Sequence, residues 1–371
     1  MSVRGAVVAG AVPSQASGER PLAEQVVSPP LPLPRGSLSE GVVAALRDGA
    51  PPPPAAAGDP DPWGDDLQLA LHTLYELHYR GFAGVDPDLE WDTRLLGLRG
   101  ELERRFLGAV RDELPGSPPV DEVIGELLVE PVDGSGISHH LKADGRWWQM
   151  QEHLAHRSVY HLKEADPHAW VIPRLTGRAK AALVAVEFDE FGGGRPERMH
   201  SELYGRLLTG AGLSRAYLAH QNSAPAPMLA VVNLMSAFGL RRSLRGALVG
   251  HFAAAEITTA PSAKRMAAAL ERMGAHPDCV EFFTEHVEAD AVHEQVVRHD
   301  VIGDLLRREP ELTPDVVLGV RATELVEGRY GEHVLGAWAR GESSAHGRGR
   351  EQAHGQEQEK EKGKEQGQVQ G

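Results

Sequence analysis

Three side chains that could bind a metal ion lie close together near the C-terminal end of the chain. They are His286, Asp290 and His293, whose spacings of four and three place them on one face of a helix. Two imidazoles and a carboxylate suit Fe(II), Mn(II) or Zn(II), and the carboxylate oxygen disfavours a metal that prefers purely soft ligands. The spacing therefore indicates either a metal site or a solvated polar face of a helix.

A single helix cannot close a metal site, so further ligands must come from other elements. Glu187 and Glu190 follow the apolar run of residues 181–186, where a carboxylate is costly unless it is paired or bound to a metal. Glu164 lies about one turn before the helix stop at Pro167. Glu190 is the stronger candidate, whereas Glu164 could also be an ordinary surface residue in the last turn of a helix.

Three glycines separate Glu190 from the next candidate ligand. Residues 192–194 are all glycine, Pro196 follows at a position typical of a first helical turn, and His200 comes one turn later. A sharp bend at the glycines would let Glu190 and His200 face the same point. The alternatives are an ordinary glycine cap at a helix end and a hydrogen-bonded core histidine.

The order of these residues resembles the ligand pattern of a known family. Glu164, then Glu190 with His200, then the run from His286 to His293 are similar to the haem-oxygenase-like di-metal oxidases. The surrounding sequence resembles their bacterial branch, the iron-containing redox enzymes, over roughly residues 65–340. The matching segments are Leu-Lys-Glu-Ala-Asp-Pro-His-Ala-Trp from residue 162, Asp-Glu-Phe-Gly-Gly-Gly-Arg-Pro from 189, Leu-Met-Ser-Ala-Phe-Gly-Leu from 234, Gly-His-Phe-Ala-Ala-Ala-Glu from 250 and His-Val-Glu-Ala-Asp-Ala-Val-His-Glu from 286.

The resemblance implies a helical bundle of haem-oxygenase type. Its first core helix would give one carboxylate, the second a bridging carboxylate and a histidine, and the third two histidines and a carboxylate. Carried onto this sequence, the ligands of two Fe(II) ions would be Glu164, Glu190, His200, His286, Asp290 and His293. The second iron is often loosely held in this group, and Mn(II) is an alternative metal. Glu187 and Glu256 have no ligand role in the pattern and would lie behind the ligands, where Glu187 could orient a histidine.

The resemblance also implies what such a site does. Family members use O2 to oxidise small molecules by N-oxygenation, desaturation or C–C cleavage, and the metal carries the chemistry while the protein supplies geometry and electrostatics. The apolar run of residues 181–186 would help to keep water from reactive species. The expected partners are therefore O2 and a small-molecule substrate. An external electron donor and a homodimer are also compatible with the sequence.

Helical periodicity dominates the chain after residue 65 and predicts an all-α fold. Apolar residues recur at every third or fourth position, whereas alternating strand patterns with hairpin turns are scarce. Prolines and glycines, including Pro261, mark helix ends at sensible lengths. The predicted haem-oxygenase-like domain is residues 62–340. Residues 1–61, rich in Pro, Ala and Gly, and residues 341–371, rich in Glu, Gln, Lys and Gly, are predicted to be disordered.

The composition of the chain argues against several classes of partner and site. The 371 residues carry a net charge of −15, and Lys and Arg are interspersed with acids, which argues against a nucleic acid or an anionic membrane as a partner. Cys279 is the only cysteine, so no internal disulfide and no thiolate zinc site can form. No stretch approaches the ~20 apolar residues of a membrane span. These features favour a cytoplasmic protein.

Two other functions fit part of the pattern. A ferritin-like bundle would also bind two metals, through two paired ligand motifs and two further carboxylates. Its pairs would be Glu197-x-x-His200 and Asp290-x-x-His293. Glu197 follows Pro196 so closely that its carboxylate could instead interact with the dipole of the first helical turn. The second alternative is a non-catalytic helical protein whose polar faces pack together or hold iron passively. Carboxylates that converge with the histidines inside the fold would favour the enzyme.

Overall fold

The computed structural model describes residues 28–114, 116, 118–129 and 134–347, apart from the side chains of residues 288–291. This described part is helical and contains no β-strand, so the predicted all-α class is confirmed. None of its helices is both long and apolar enough to cross a membrane. The α-helices are α1 (Ser37–Asp48), α2 (Asp65–Glu76), α3 (Thr93–Glu113), α4 (Val120–Leu127), α5 (Ile137–Ala143), α6 (Trp147–His161), α7 (Asp166–Ala169), α8 (Gly177–Glu190), α9 (His200–Gly210), α10 (Ala226–Leu240), α11 (Arg245–Arg272), α12 (Pro277–Val296), α13 (Gly303–Arg308) and α14 (Thr313–Ala339).

Helix α10 lies at the centre of the bundle. Almost all of its side chains are buried because its sequence is apolar on every side, and it packs against α2, α11 and α14. Asn233 is a polar exception, and its amide donates to the backbone and side-chain oxygens of Gln68 on α2 at 2.9 and 2.7 Å. The long helices α11 and α14 pack against each other, and α11 also packs against α12, which carries three of the predicted ligands.

Two glycines let α11 and α14 approach closely. A Cβ atom on Gly250, or on Gly319, would lie 2.0 Å from a backbone carbonyl oxygen of the facing helix. A side chain therefore fits at neither position without moving the two helices apart. His251 follows Gly250, and Thr323 lies one turn after Gly319. The close approach brings Nδ1 of His251 to 2.8 Å from Oγ1 of Thr323.

The N-terminal boundary of the fold differs from the prediction. The sequence predicts disorder up to residue 61, but α1 lies within that segment and buries apolar side chains such as Leu38 and Leu46. The carboxylate of Asp66 on α2 accepts hydrogen bonds from two backbone N–H groups of α1, at 3.0 and 2.7 Å. The prediction is wrong here because the Pro-, Ala- and Gly-rich surroundings conceal a short amphipathic helix. Residues 1–27 lie outside the described part of the chain.

Two further expectations need correction towards the C-terminus. The predicted disordered tail begins at residue 341, yet Ser344 is 4% exposed and donates from its backbone nitrogen to Oε1 of Glu152 at 2.9 Å. A carboxylate distant in sequence thus holds residues that no local pattern would order.

Pro261 does not end a helix, because α11 continues through it. The loss of one helical hydrogen bond at a proline is tolerated where buried residues on both sides hold the helix in place. Residues 348–371 lie outside the described ranges.

Candidate metal centre

Three consecutive glycines turn the chain between α8 and α9. Residues Gly192–Gly194 have positive φ angles of 79°, 60° and 82°, which favour glycine. A Cβ atom on Gly192 would lie 2.7 Å from the backbone nitrogen of Met199. The turn brings Nδ1 of His200, the first residue of α9, to 2.8 Å from Oε2 of Glu190, the last residue of α8. The bend predicted from the glycines is therefore present.

Glu164, His200 and His286 form the first of two buried groups that could hold a metal ion. One ligand atom of each residue lies within 4.8 Å of those of the other two. The Nε2 atom of His286 is 3.7 Å from Oε1 of Glu164, and the ring centroids of His200 and His286 are 4.3 Å apart. This first triad gathers side chains from the turn after α6, from α9 and from α12.

The turn between α6 and α7 directs Glu164 into the bundle. Ala165 adopts a left-handed conformation with φ of 73°, which is uncommon for a residue with a Cβ atom. On the other side of Glu164, the buried ammonium of Lys163 forms an ion pair with Glu76 on α2. His161 donates from Nδ1 to Oε1 of Glu164 at 2.8 Å. These contacts fix a turn whose backbone conformation would otherwise be unfavourable.

Glu190, Glu256 and His293 form the second buried group, with ligand atoms again within 4.8 Å of one another. Nδ1 of His293 lies 3.0 Å from Oε2 of Glu256, to which it donates a hydrogen bond. The sequence pattern gave Glu256 no ligand role. Its carboxylate on α11 is placed either to orient His293 or to bind a metal ion itself. Glu256 ends one of the segments that carry the resemblance, but its contact with His293 could not be predicted, because the packing of α11 against α12 creates it.

Glu190 connects the two triads. Its Oε2 atom lies 2.8 Å from Nδ1 of His200 in the first triad, and its Oε1 atom lies 3.7 Å from Nδ1 of His293 in the second. One carboxylate therefore directs one oxygen towards each group. This is the arrangement that a bridging carboxylate requires, as the resemblance implied.

Buried atoms without hydrogen bonds test whether the first triad fits a metal ion. Oε2 of Glu164 and Nδ1 of His200 make no hydrogen bond with any described residue, since the contact of His200 with Glu190 lacks hydrogen-bond geometry. His286 donates from Nδ1 to the carbonyl oxygen of Phe282 at 2.7 Å, so in the neutral ring Nε2 carries the lone pair. Unpaired buried polar atoms are costly. A divalent cation would satisfy Oε2 of Glu164 and Nδ1 of His200, and nitrogen and oxygen donors of this kind fit Fe(II), Mn(II) or Zn(II).

Two predicted residues have less support. Helix α12 spans His286 to His293 as predicted, but the side chain of Asp290 lies outside the described residues, so its ligand role stays a prediction. Glu187 is 2% exposed, and neither of its carboxylate oxygens makes a hydrogen bond with a described residue. Its predicted role in orienting a histidine therefore has no contact to support it.

The ferritin-like alternative lacks one of its two ligand pairs. Glu197 lies in the 3₁₀ turn Pro196–Arg198, before α9 begins, and its side chain is exposed. His200 is buried and faces Glu190 instead. A ferritin-like centre needs both members of each pair to project inward, so Glu197 and His200 do not form such a pair.

Charges and burial shift the pKa values of this centre in different directions. Burial raises the pKa of Glu187 to about 9, and repulsion from neighbouring carboxylates adds to the shift. Burial would also raise the pKa of Glu164, but the charges and hydrogen bonds of His161 and His286 together outweigh it and hold that pKa well below its usual value. Burial lowers the pKa of His293, but the hydrogen bond and charge of Glu256, together with Glu190 and Asp189, outweigh this and raise it to about 9. Without a metal, the centre thus holds a neutral carboxyl at Glu187 and an ionised one at Glu164.

A cavity of about 290 Å³ adjoins both triads. Its lining includes Glu164 and His286 from the first triad and Glu190 and Glu256 from the second. The other walls combine apolar, aromatic and polar side chains from α6, α11 and α14. An internal space of this kind beside candidate metal ligands can hold a small molecule.

The helical bundle and its two linked groups of histidines and carboxylates are typical of helical proteins that bind metal ions. Residues 151–328 match the family of iron-containing redox enzymes. This region includes all the residues of both triads, and the match confirms the resemblance noted in the sequence.

The chain is also similar to a nitrosourea synthase from Streptomyces achromogenes subsp. streptozoticus. The two are 26% identical over 282 residues, which cover 68% of this chain and 58% of that protein. The chain therefore spans less than two thirds of the length of this relative.

Proposed function

We propose that the chain is a non-haem oxidoreductase that binds two Fe(II) ions and uses O2 to oxidise a small molecule. The position of Glu190 carries this proposal, because its two oxygens approach a histidine of each triad, at 2.8 and 3.7 Å. A carboxylate so placed can bridge two cations while the triads supply the remaining ligands. The family match over residues 151–328 supports iron as the metal, and Mn(II) would accept the same donors.

The residues of the two triads divide the proposed ligand roles between them. Glu190 would be shared, and Fe(II) held by the triads would supply the O2 reactivity that protein side chains lack. Asp290, on the same helix as His286 and His293, would complete the second set. The first ion would be held by Glu164, His200 and His286, and the second by Glu256, Asp290 and His293.

The helix that carries Glu190 also limits the access of water. Leu183 and Val186 on α8 are almost completely buried, at 0% and 2% exposure. Apolar side chains behind the ligands exclude solvent from the reacting centre and strengthen the electrostatic interactions within it. The protein would thereby favour oxidation of the bound molecule over unproductive reactions with water.

Electron balance defines the partners of the proposed reaction. Insertion of one oxygen atom into an N–H or C–H bond takes two electrons from the substrate, whereas reduction of O2 to a product oxygen and water takes four. The other two electrons, with two protons, must come from an external reductant. The proposed partners are therefore O2, a small-molecule substrate and an electron donor.

The similarity to a nitrosourea synthase indicates which substrates to test first. A nitrosourea contains an oxidised nitrogen atom, and N-oxygenation is one of the reactions that the sequence resemblance implies. We therefore propose nitrogen-containing small molecules as the first substrate class.

Oxygen uptake after anaerobic loading with Fe(II) tests the proposal. We expect the iron-loaded wild type to consume O2 with a reductant present, and Glu190→Ala to lose most of this uptake. Glu197→Ala is a matched control, because Glu197 is an exposed glutamate in the adjacent turn; it should behave like the wild type. Bound iron without O2 uptake in the wild type would favour passive iron holding, and equal uptake by Glu190→Ala would refute the bridging role.

A further inference from the structure

A second polar group lies in the wall of the cavity, apart from the two triads. His251 on α11 and Thr323 on α14 are buried, and both line the cavity that adjoins the triads. Nδ1 of His251 lies 2.8 Å from Oγ1 of Thr323. The close approach of the two helices at Gly250 and Gly319 makes this contact possible.

The hydrogen bonds of Thr323 determine which nitrogen of His251 carries the proton. The Thr323 hydroxyl donates its only proton to the carbonyl oxygen of Gly319 at 2.7 Å. Its oxygen must therefore accept the hydrogen bond from Nδ1–H of His251. Burial lowers the pKa of His251 to about 4, so the ring is neutral near pH 7. A neutral imidazole with its proton on Nδ1 presents Nε2 as a hydrogen-bond acceptor.

This acceptor has no partner among the described residues. Nε2 of His251 is buried and receives no hydrogen bond from them. The ring of His168 lies opposite, with a centroid separation of 5.2 Å, and its buried Nε2 is likewise without a described partner. Buried acceptors are costly when left unpaired. A donor group on a molecule in the cavity would satisfy Nε2 of His251.

The charges of the cavity wall favour a donor group over an anion. Arg157 is the only arginine or lysine among the described residues that line the cavity. Its two terminal nitrogens already donate to the two oxygens of Glu327, at 2.7 and 2.8 Å. The Glu327 oxygens retain further lone pairs. The wall therefore offers acceptors at His251 and Glu327 but no unneutralised cation for a carboxylate.

We propose that His251 and Glu327 recognise an N–H donor group of the substrate, an amine or a guanidine, at the wall formed by α11 and α14. Thr323 acts as a positioning residue, because it keeps the proton of His251 on Nδ1. This assignment rests on the proposed function in that the cavity is taken as the substrate site. A carboxylate at the same wall would have no N–H to donate, and the pairing of Arg157 with Glu327 leaves no free cation to bind it.

Three probes with the same butyl chain test this recognition: n-butylguanidinium, n-butylammonium and butyrate. Ligand-observed NMR titrations use the full chain, both metal-free and loaded with Fe(II) under argon. We expect the two nitrogen probes to bind and butyrate not to bind. His251→Phe keeps an aromatic ring but removes the acceptor, so it should weaken binding of n-butylguanidinium about tenfold or more.

Variants of Thr323 separate recognition from a general structural effect. Thr323→Val removes the oxygen that accepts from Nδ1–H and should weaken probe binding, whereas Thr323→Ser keeps the hydroxyl and should restore it. Iron content should equal that of the wild type in all these variants, because none of them changes a ligand.

Several results would overturn the assignment: preferential binding of butyrate, no binding of any probe, or equal binding by the wild type and His251→Phe. Loss of iron from His251→Phe would assign this histidine to the metal centre instead and would equally refute it. The titrations of the metal-free chain do not need iron, so a failure of the proposed function would be seen separately, as an absence of iron binding or O2 uptake.

Discussion

Glu190 and His200 lie 2.8 Å apart, from Oε2 to Nδ1, although ten positions separate them along the chain. Three glycines with positive φ angles make the turn between them. Because the other oxygen of Glu190 lies 3.7 Å from His293, the same carboxylate relates the two triads. The geometry of the whole centre therefore depends on this turn.

Replacing Gly192 with alanine should disturb the centre rather than merely destabilise the fold. The added Cβ atom would lie 2.7 Å from the backbone nitrogen of Met199, next to His200. We expect the affinity for Fe(II) to fall at least about tenfold, as it does when groups that orient ligands are altered. Gly274→Ala is the control, since Gly274 also has a positive φ, of 68°, but has open space around it. That variant should lose about 1 kcal/mol of stability and bind iron normally. Equal iron affinities in the two variants would argue against the role of the turn.

The contact between α11 and α14 predicts a large difference between two alanine substitutions on one helix. In Gly319→Ala the new Cβ atom would lie 2.0 Å from a backbone carbonyl oxygen, whereas in Gly328→Ala it would meet nothing within 4 Å. Urea denaturation should give a loss of about 2–3 kcal/mol for Gly319→Ala, because the helices must separate. Gly328→Ala should gain up to about 1 kcal/mol from helix propensity. Similar stabilities would mean that the helices do not pack as closely as described.

The buried ion pair of Lys163 and Glu76 should be much more costly to break than to replace. Both side chains have 0% exposure, so Lys163→Met would leave a carboxylate without its counter-ion and should cost about 3–5 kcal/mol of unfolding free energy. The double variant Lys163→Met with Glu76→Gln should recover most of this loss. Chemical denaturation of the two single variants and the double variant measures the coupling. Additive losses would indicate that the two charges do not interact.

Glu187 should make the metal-free protein less stable as the pH rises. Its carboxyl has a pKa of about 9 in the fold, mainly because of burial, against 4.5 as the ordinary value. Between pH 4.5 and pH 9, the carboxyl of Glu187 has lost its proton in the unfolded chain but retains it in the folded chain. The contribution of this group to the unfolding free energy therefore falls by about 1.4 kcal/mol per pH unit.

Glu187→Gln removes this pH dependence while it keeps the size of the side chain. The variant should match the wild type near pH 4.5 and exceed its stability by up to about 4 kcal/mol at pH 8. Thermal or urea unfolding of both proteins across this range measures the difference. With iron bound, nearby positive charge favours the ionised carboxylate, so the difference should shrink. A constant difference across the range would show that Glu187 titrates normally.

The sequence predicted more of the candidate site than of the boundaries of the fold. The spacing of His286 and His293 could be read locally, because a helix repeats every few residues. Glu190 and His200 could be related because the glycines between them indicate a bend. Glu256 could not be assigned a place beside His293, because its position results from the packing of α11 against α12 rather than from a pattern within either helix.

The predicted boundaries of the fold were wrong for a related reason. Helix α1 is short, and its stability comes from Asp66 and from apolar contacts with α2 rather than from its own sequence. Composition around α1 is dominated by residues typical of disorder. Ser344 is likewise held by Glu152, far away along the chain. Tertiary contacts of this kind leave no local trace in a single sequence.

Equilibrium dialysis against saturating Fe(II) under argon tests whether Glu190 joins two iron-binding groups, as we propose. Iron bound per chain is measured for the wild type, for Glu190→Ala and for the control Glu197→Ala. Two iron ions are expected for the wild type and the control, one for each triad, and at most one for Glu190→Ala. No more than one iron in the saturated wild type, or two in Glu190→Ala, would contradict the claim.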